Sequence, residues 1–145
     1  ANLNRAQAVQ ILYNLENQPE ATASAGYTDT AGHWAINAIN WAAENGIVSG
    51  VGNNRFDPNS PVSREQFAVM MYNYARYKGY DLSAQADLTT FPDNGKVSSW
   101  ALRALQWANG EGLINGSDGS LLPGGTATRG QAASILMKFD QNVVA

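Results

Sequence analysis

The chain has 145 residues, enough for one compact domain, and 44% of them are hydrophobic, so a packed core is expected and wholesale disorder is not. Charged residues make up only 14%, and 9 Lys+Arg against 12 Asp+Glu leave a net charge of −3, which argues against a broad basic face for nucleic acid. With no Cys and one His, His33, the chain lacks disulfides, thiolate zinc sites, cysteine nucleophiles and any histidine pair for a metal.

No charged-then-apolar leader is visible at the start, and no apolar run approaches the roughly 18 residues that cross a bilayer, so no membrane insertion is expected. The first predicted helix, in residues 3–15, opens on Asn4-Arg-Ala-Gln7, a cap-x-x-Gln pattern of the capping-box kind, with Val9, Leu12 and Tyr13 at helical spacing. Residues 17–26 are a polar connector. From Trp34 to Asn45, Trp34, Ala38, Ile39, Trp41 and Ala42 fall mainly on one helical face, and Gly46 with apolar Ile47 behind it reads as a left-handed C-terminal stop. The stretch 49–61 is rich in Gly, Asn, Asp and Pro and is read as a loop.

Ser63-Arg-Glu-Gln66 then starts a helix carrying Phe67, Met70, Met71 and Tyr74, and residues 79–90 form a second connector. Trp100, Leu102, Ala104, Leu105 and Ala108 make the next helix, ended by Gly110 or Gly112. Another Gly-rich loop, 115–126, leads to Thr128-Arg-Gly-Gln131 and a last helix with Ala132, Ile135, Leu136 and Phe139. No segment sustains strand alternation, so the fold class is all-α.

These elements repeat. Trp34, Trp41, Gly46 and Gly50 recur as Trp100, Trp107, Gly112 and Gly116 at one constant spacing, and Pro58 and Arg64 recur as Pro123 and Arg129 after a one-residue deletion. Three similar amphipathic helices, each short of partners alone, are expected to pack as a central bundle.

Arg5, Arg64 and Arg129 each stand at the first helical position, where the helix dipole disfavours a cation by about 0.3–1 kcal/mol. The same local rule broken three times invites a functional reason: a guanidinium beside free backbone N–H groups concentrates donors for an anion such as a sugar-borne carboxylate. The structural alternative is that each Arg pairs with an internal acid, for which Asp29, Asp57 and Asp93 are available. Trp34, Trp41, Trp100 and Trp107 have core spacing, but Trp34 and Trp100 sit at helix starts, where a ring can also stack on a sugar. Glycines 50, 52, 116 and 119 either serve turns or admit close approach of a ligand. His33 is read as a solvated first-turn residue. Asp57 and Asp118 lie in loops faintly like calcium sites, without the order of ligands such a site needs. No metal site and no cofactor is expected, and without paired carboxylates of divergent pKa or a nucleophile motif, neither is an enzyme.

Read in order, Tyr27-Thr-Asp29, Trp34-Ala35, Gly46-Ile-Val-Ser-Gly50, Phe56-Asp-Pro58 and Ser63-Arg-Glu-Gln66 resemble the S-layer homology (SLH) module. Phe91-Pro-Asp93, Trp100-Ala101, Gly112-Leu-Ile-Asn-Gly116, Leu121-Leu-Pro123 and Thr128-Arg-Gly-Gln131 repeat the set. The resemblance implies a single domain over 1–145, with the second half of one module at 1–16, complete modules at 27–78 and 91–140, and connectors at 17–26 and 79–90. It implies three modules around a pseudo-threefold axis, a central three-helix bundle and outer helical prongs, the first prong missing.

The function it implies is non-covalent anchoring of an exported protein at the bacterial cell surface. The partner would be an acidic, pyruvylated secondary cell-wall polysaccharide held in inter-module grooves. By that resemblance Arg5, Arg64 and Arg129 are the anionic anchors, with Asp29, Trp34, Gly50, Asp93, Trp100 and Gly116 lining the grooves. Gln at 7, 66 and 131 departs from the family's Glu, Asn4 replaces its Thr, and Gly130 weakens the third helix start. The absent prong leaves Arg5 with the least complete surroundings. The alternative is an assembly module, whose groove and prong are completed by a missing N-terminal fragment or a neighbouring chain.

Overall fold

A computed structural model describes residues 2–116 and 119–144, so Asp118 lies outside the described residues. The described residues form five α-helices, α1 (Arg5–Leu15), α2 (Ile36–Glu44), α3 (Arg64–Lys78), α4 (Leu102–Gly110) and α5 (Arg129–Phe139), with short helical turns and no strand among them. The fold is all-α.

The helix starts follow from the sequence. Asn4, Ser63 and Thr128 each accept a hydrogen bond from the backbone N–H three residues on, and Gln7, Gln66 and Gln131 each accept one from the cap residue's own N–H, closing three capping boxes. Gln therefore does structurally what Glu does elsewhere, without its charge. The ends are equally local. Gly46 and Gly112 adopt φ of 72° and 75°. Behind them Ile47 N–H reaches Ala42 O and Leu113 N–H reaches Ala108 O, both at 2.8 Å, in the Schellman pattern. The helix start after Trp34 differs from expectation. The His33 ring accepts from Ala35 N–H at 3.0 Å, so Trp34 sits in a turn and α2 begins at Ile36. Trp100 likewise lies in the 3-10 turn Ser99–Ala101 before α4.

The chain divides into two compact units, Leu3–Val62 and the residues from Ser63 onward together with Asn2. In the first, α1 packs on α2 with the Tyr13 and Trp41 rings 5.6 Å apart, over a core that includes Val9, Leu12, Ile39 and Phe56. In the second, α3 packs on α4 with Tyr72 edge-on to Trp107 at 5.5 Å, and Phe139 of α5 meets both Trp107 and Tyr74. Trp41 and Trp107 are buried, and truncating side chains of this size costs about 3–5 kcal/mol.

Each connector lies along the helix that follows it. Thr22 binds Glu44, and Ala25 N–H donates to Asn40 at 3.1 Å. Arg103 donates to Ala84 O at 2.9 Å, and Ala86 N–H to Gln106 O at 3.0 Å. Each unit thus joins the arginine-led helix of one repeat to the tryptophan-led helix of the next. α5 is the exception: Ala132 and Phe139 are buried, but Met137 is exposed and Ile135 and Leu136 are half-exposed.

Candidate functional site

The starts of α1 and α3 are built into the loop of the following repeat. Arg5 N–H and Ala6 N–H donate to Ser60 O and Pro58 O at 2.9 and 2.8 Å, and Arg64 N–H and Glu65 N–H donate to Gly125 O and Pro123 O at 2.8 and 3.0 Å. The first-turn N–H groups expected to face an anion are therefore already satisfied by carbonyls. What remains for a ligand is the guanidinium.

Arg5 and Arg64 are held alike at Nε and differently beyond it. Arg5 Nε donates to Phe56 O at 2.8 Å and Nη2 to Ser49 O at 3.2 Å, while its guanidinium lies 4.5 Å from the Phe56 ring centre. Only 6% of Arg5 is exposed. Burial lowers its pKa, and the charges of Asp57, Tyr27 and Asp29 work the other way. The missing first prong does not leave Arg5 bare, because the loop that surrounds it belongs to the repeat that follows, not to the one before.

Arg64 Nε donates to Leu121 O at 3.1 Å, but a leucine stands where Phe56 does, so the cation has no aromatic face beneath it. Burial alone lowers its pKa, and the group stays a cation. Arg64 opens on a recess of about 190 Å³ lined also by Asn115, Gly116, Gln131, Ser134 and Lys138, with no acidic side chain among the described residues. Arg129 is exposed. Among the described residues none of the three arginines is ion-paired to an acid; the carboxylates of Asp29 and Asp57 face Arg55 instead.

Asp29 and Asp93 are occupied by backbone. Asp29 accepts from Phe56 and Asp57 N–H at 2.9 and 2.8 Å, and Asp93 from Leu121 and Leu122 N–H at the same two distances. They clamp a loop whose central residue has positive φ, 58° at Asp57 and 50° at Leu122. For Leu that conformation costs about 1–2 kcal/mol. These N–H donors hold the Asp93 pKa below the usual carboxylate range; at Asp29 burial pushes up, and the N–H donors with Arg55 outweigh it. A depressed folded pKa gives stability that is complete above about pH 4 and lost as pH falls through the folded value. The melting temperature is therefore expected to fall on acidification below pH 4, and to fall less in the Asp29→Asn/Asp93→Asn double variant. Parallel slopes for parent and variant in thermal melts would remove the clamp as the cause.

Gly50 and Gly116 seat the aromatic ring of the same motif. A Cβ on Gly50 would lie 2.7 Å from the Tyr27 ring, and one on Gly116 3.0 Å from Phe91. Gly116 also lines the Arg64 recess. Trp34 and Trp100 stand out from the surface, 62% and 59% exposed. His33 bonds Asn59 at 2.9 Å and lies against Trp34. Lys138, Gln131, Ser134 and Asn115 were missed from the sequence. The first three fall at i+7, i and i+3 on one face of α5, a stripe that helical periodicity could have singled out.

The S-layer homology domain pattern matches residues 26–68 and 90–133. Similar proteins include an amylopullulanase of Thermoanaerobacterium thermosulfurigenes, 34% identical over 92% of this chain and 7% of its own length. An exoglucanase XynX of Acetivibrio thermocellus is 31% identical over 92% of this chain and 12% of its own. A surface-layer 125 kDa protein of Lysinibacillus sphaericus is 30% identical over 97% and 12%. The chain thus spans a small fraction of the relatives it matches, and it aligns with the same kind of segment in proteins of different overall activity. It belongs to the S-layer homology domain family.

Proposed function

We propose that the chain anchors an exported protein to the bacterial cell wall by taking an acidic, pyruvylated secondary wall polysaccharide into the recess headed by Arg64. S-layer homology domains in S-layer and surface proteins are cell-wall anchoring modules, and this region is non-catalytic. The observation that carries the finer reading is Arg64 itself. It is held through Nε to one backbone carbonyl, shares with Lys138 a recess that has no acid among the described residues, and keeps its outer N–H edge for a carboxylate. In the same unit exposed Trp100 supplies a stacking face for a sugar ring, and Arg129 a second cation.

The test is sedimentation with purified walls of Lysinibacillus sphaericus and Thermoanaerobacterium thermosulfurigenes, before and after acid extraction of the non-peptidoglycan polymer. Binding should require the polymer. It should weaken with salt yet persist at 0.5 M, where the Debye length is about 4 Å and exposed charge pairs are screened. Complete release at that salt would indicate non-specific adsorption.

A second reading rests on α5. The α1 and α3 starts are sealed by a Pro-containing loop, whereas Arg129 and Gly130 N–H have no such carbonyls among the described residues, and the α5 face keeps Met137 exposed. A further helix and loop of the α2 or α4 kind, from another segment or chain, fits that face. Native mass measurement separates the readings: a monomer that binds walls supports the first, and an obligate complex that does not bind them supports the second.

A further inference from the structure

The two loops that hold the arginines share their backbone and differ in their charges. Phe56-Asp57-Pro58 and Leu121-Leu122-Pro123 are clamped by Asp29 and Asp93 in the same way, and both central residues have positive φ. Asp tolerates that conformation through its short polar side chain; Leu does not. Leu122 is nevertheless 47% exposed, so no core packing offsets the strain. Strain of this kind, kept without a packing return, points to a role outside the fold.

Its neighbours supply the role. A Cβ on Gly125 would lie 3.7 Å from both Arg64 Cδ and Leu122 Cβ, so the two side chains flank one point beside the Arg64 stem. In the other unit the same place carries Asp57, whose carboxylate pairs with Arg55, and Arg55 lies 3.8 Å from Asp29 as well. At Arg64 the positions of Arg55 and Asp57 are taken by uncharged Ser120 and Leu122. The Asp93 carboxylate is engaged by backbone, and Lys138 adds a second cation to the recess.

Arg5 is closed to anions by burial and by its bonds to the Phe56 and Ser49 carbonyls. We propose that at Arg64 the central residue of the loop decides the matter: the neutral Leu122 leaves Arg64 open to anions. The proposal rests on the reading of Arg64 as the anion-binding group, and Leu122 is a specificity-determining residue within it.

The experiment compares wall binding and thermal melts for Leu122→Asp, Leu122→Asn, Leu122→Lys and Arg64→Ala, using Lysinibacillus sphaericus walls that retain their polymer. Leu122→Asp should lose at least about tenfold in affinity while melting within about 3 °C of the parent. Leu122→Asn should stay within about threefold. Leu122→Lys, as large and as strained as the leucine, should bind about two- to fivefold more tightly, which keeps the test decisive even where Leu122→Asp folds poorly. Equal losses for Asn and Asp, or weaker binding by Lys, would overturn the proposal. Tenfold loss in Arg64→Ala with full binding by Leu122→Asp would overturn it alone, whereas full binding by Arg64→Ala would overturn the anion reading beneath it and the proposal together.

Discussion

Arg64→Ala is expected to lose about ten- to a hundredfold in affinity for wall polymer and to melt close to the parent, while Arg5→Ala does the reverse. The binding loss is that of one charge-assisted bidentate contact, about 1.5–3 kcal/mol. Folding is little affected because Arg64 gives up a single hydrogen bond to Leu121 O and an unfavourable place at the helix start. Arg64→Lys should recover part of the affinity, since an ammonium lacks the planar fork. Arg5 is a strut. Its removal takes away hydrogen bonds to Phe56 O and Ser49 O and the contact with the Phe56 ring, and leaves a buried carbonyl unpaired. Together these amount to about 2–4 kcal/mol, on the order of 10 °C in melting temperature. Thermal melts beside wall sedimentation decide the matter. An Arg5→Ala protein that melts normally but no longer binds walls would exchange the two roles.

That division could not be read from the motif, because the two arginines occupy the same position in it. The capping boxes, the glycine stops and the buried faces of α1 to α4 were legible, since each depends on residues within one turn of the chain. The repeated arginines stood out for the same local reason. Their fates depend on residues more than fifty positions away: Phe56 under Arg5, and Leu121 and Lys138 around Arg64. At the starts of α1 and α3 the helix N–H groups expected to face an anion are taken up by the same kind of contact. Pro58, Ser60, Pro123 and Gly125 supply carbonyls there, and nothing in the spacing of a loop shows where its carbonyls point. Asp29 and Asp93 looked like candidate partners for the repeated arginines and instead accept loop N–H groups, Asp29 beside Arg55 as well.

The glycine of the Gly-x-x-x-Gly stretch raises the same question of ligand approach against packing, and Gly50→Ala answers it. Gly50 has no positive φ, so conformational strain is not the issue; space is. A Cβ there would lie 2.6 Å from Arg55 O and 2.7 Å from the Tyr27 ring. The ring can turn aside, but Arg55 O is backbone and is held by Val51 N–H at 2.9 Å. Relief must therefore open the turn at 51–55, immediately beyond the Ser49 carbonyl that receives Arg5. Overpacking against backbone costs about 1–3 kcal/mol, and loosening of Arg5 adds to it. Gly52→Ala is the control: its φ of 104° disfavours a side chain, yet a Cβ there would meet no atom within 4 Å. It should cost about 1 kcal/mol, from backbone strain alone. Gly50→Ala is expected to melt well below Gly52→Ala, and Gly50→Ala with Tyr27→Leu to recover only part of the difference. Wall binding at a temperature where every variant is folded should be unchanged for all of them, because Arg64 lies in the other unit. A Gly50→Ala protein with the parent's melting temperature and no wall binding would instead make this glycine a place where the ligand meets the backbone.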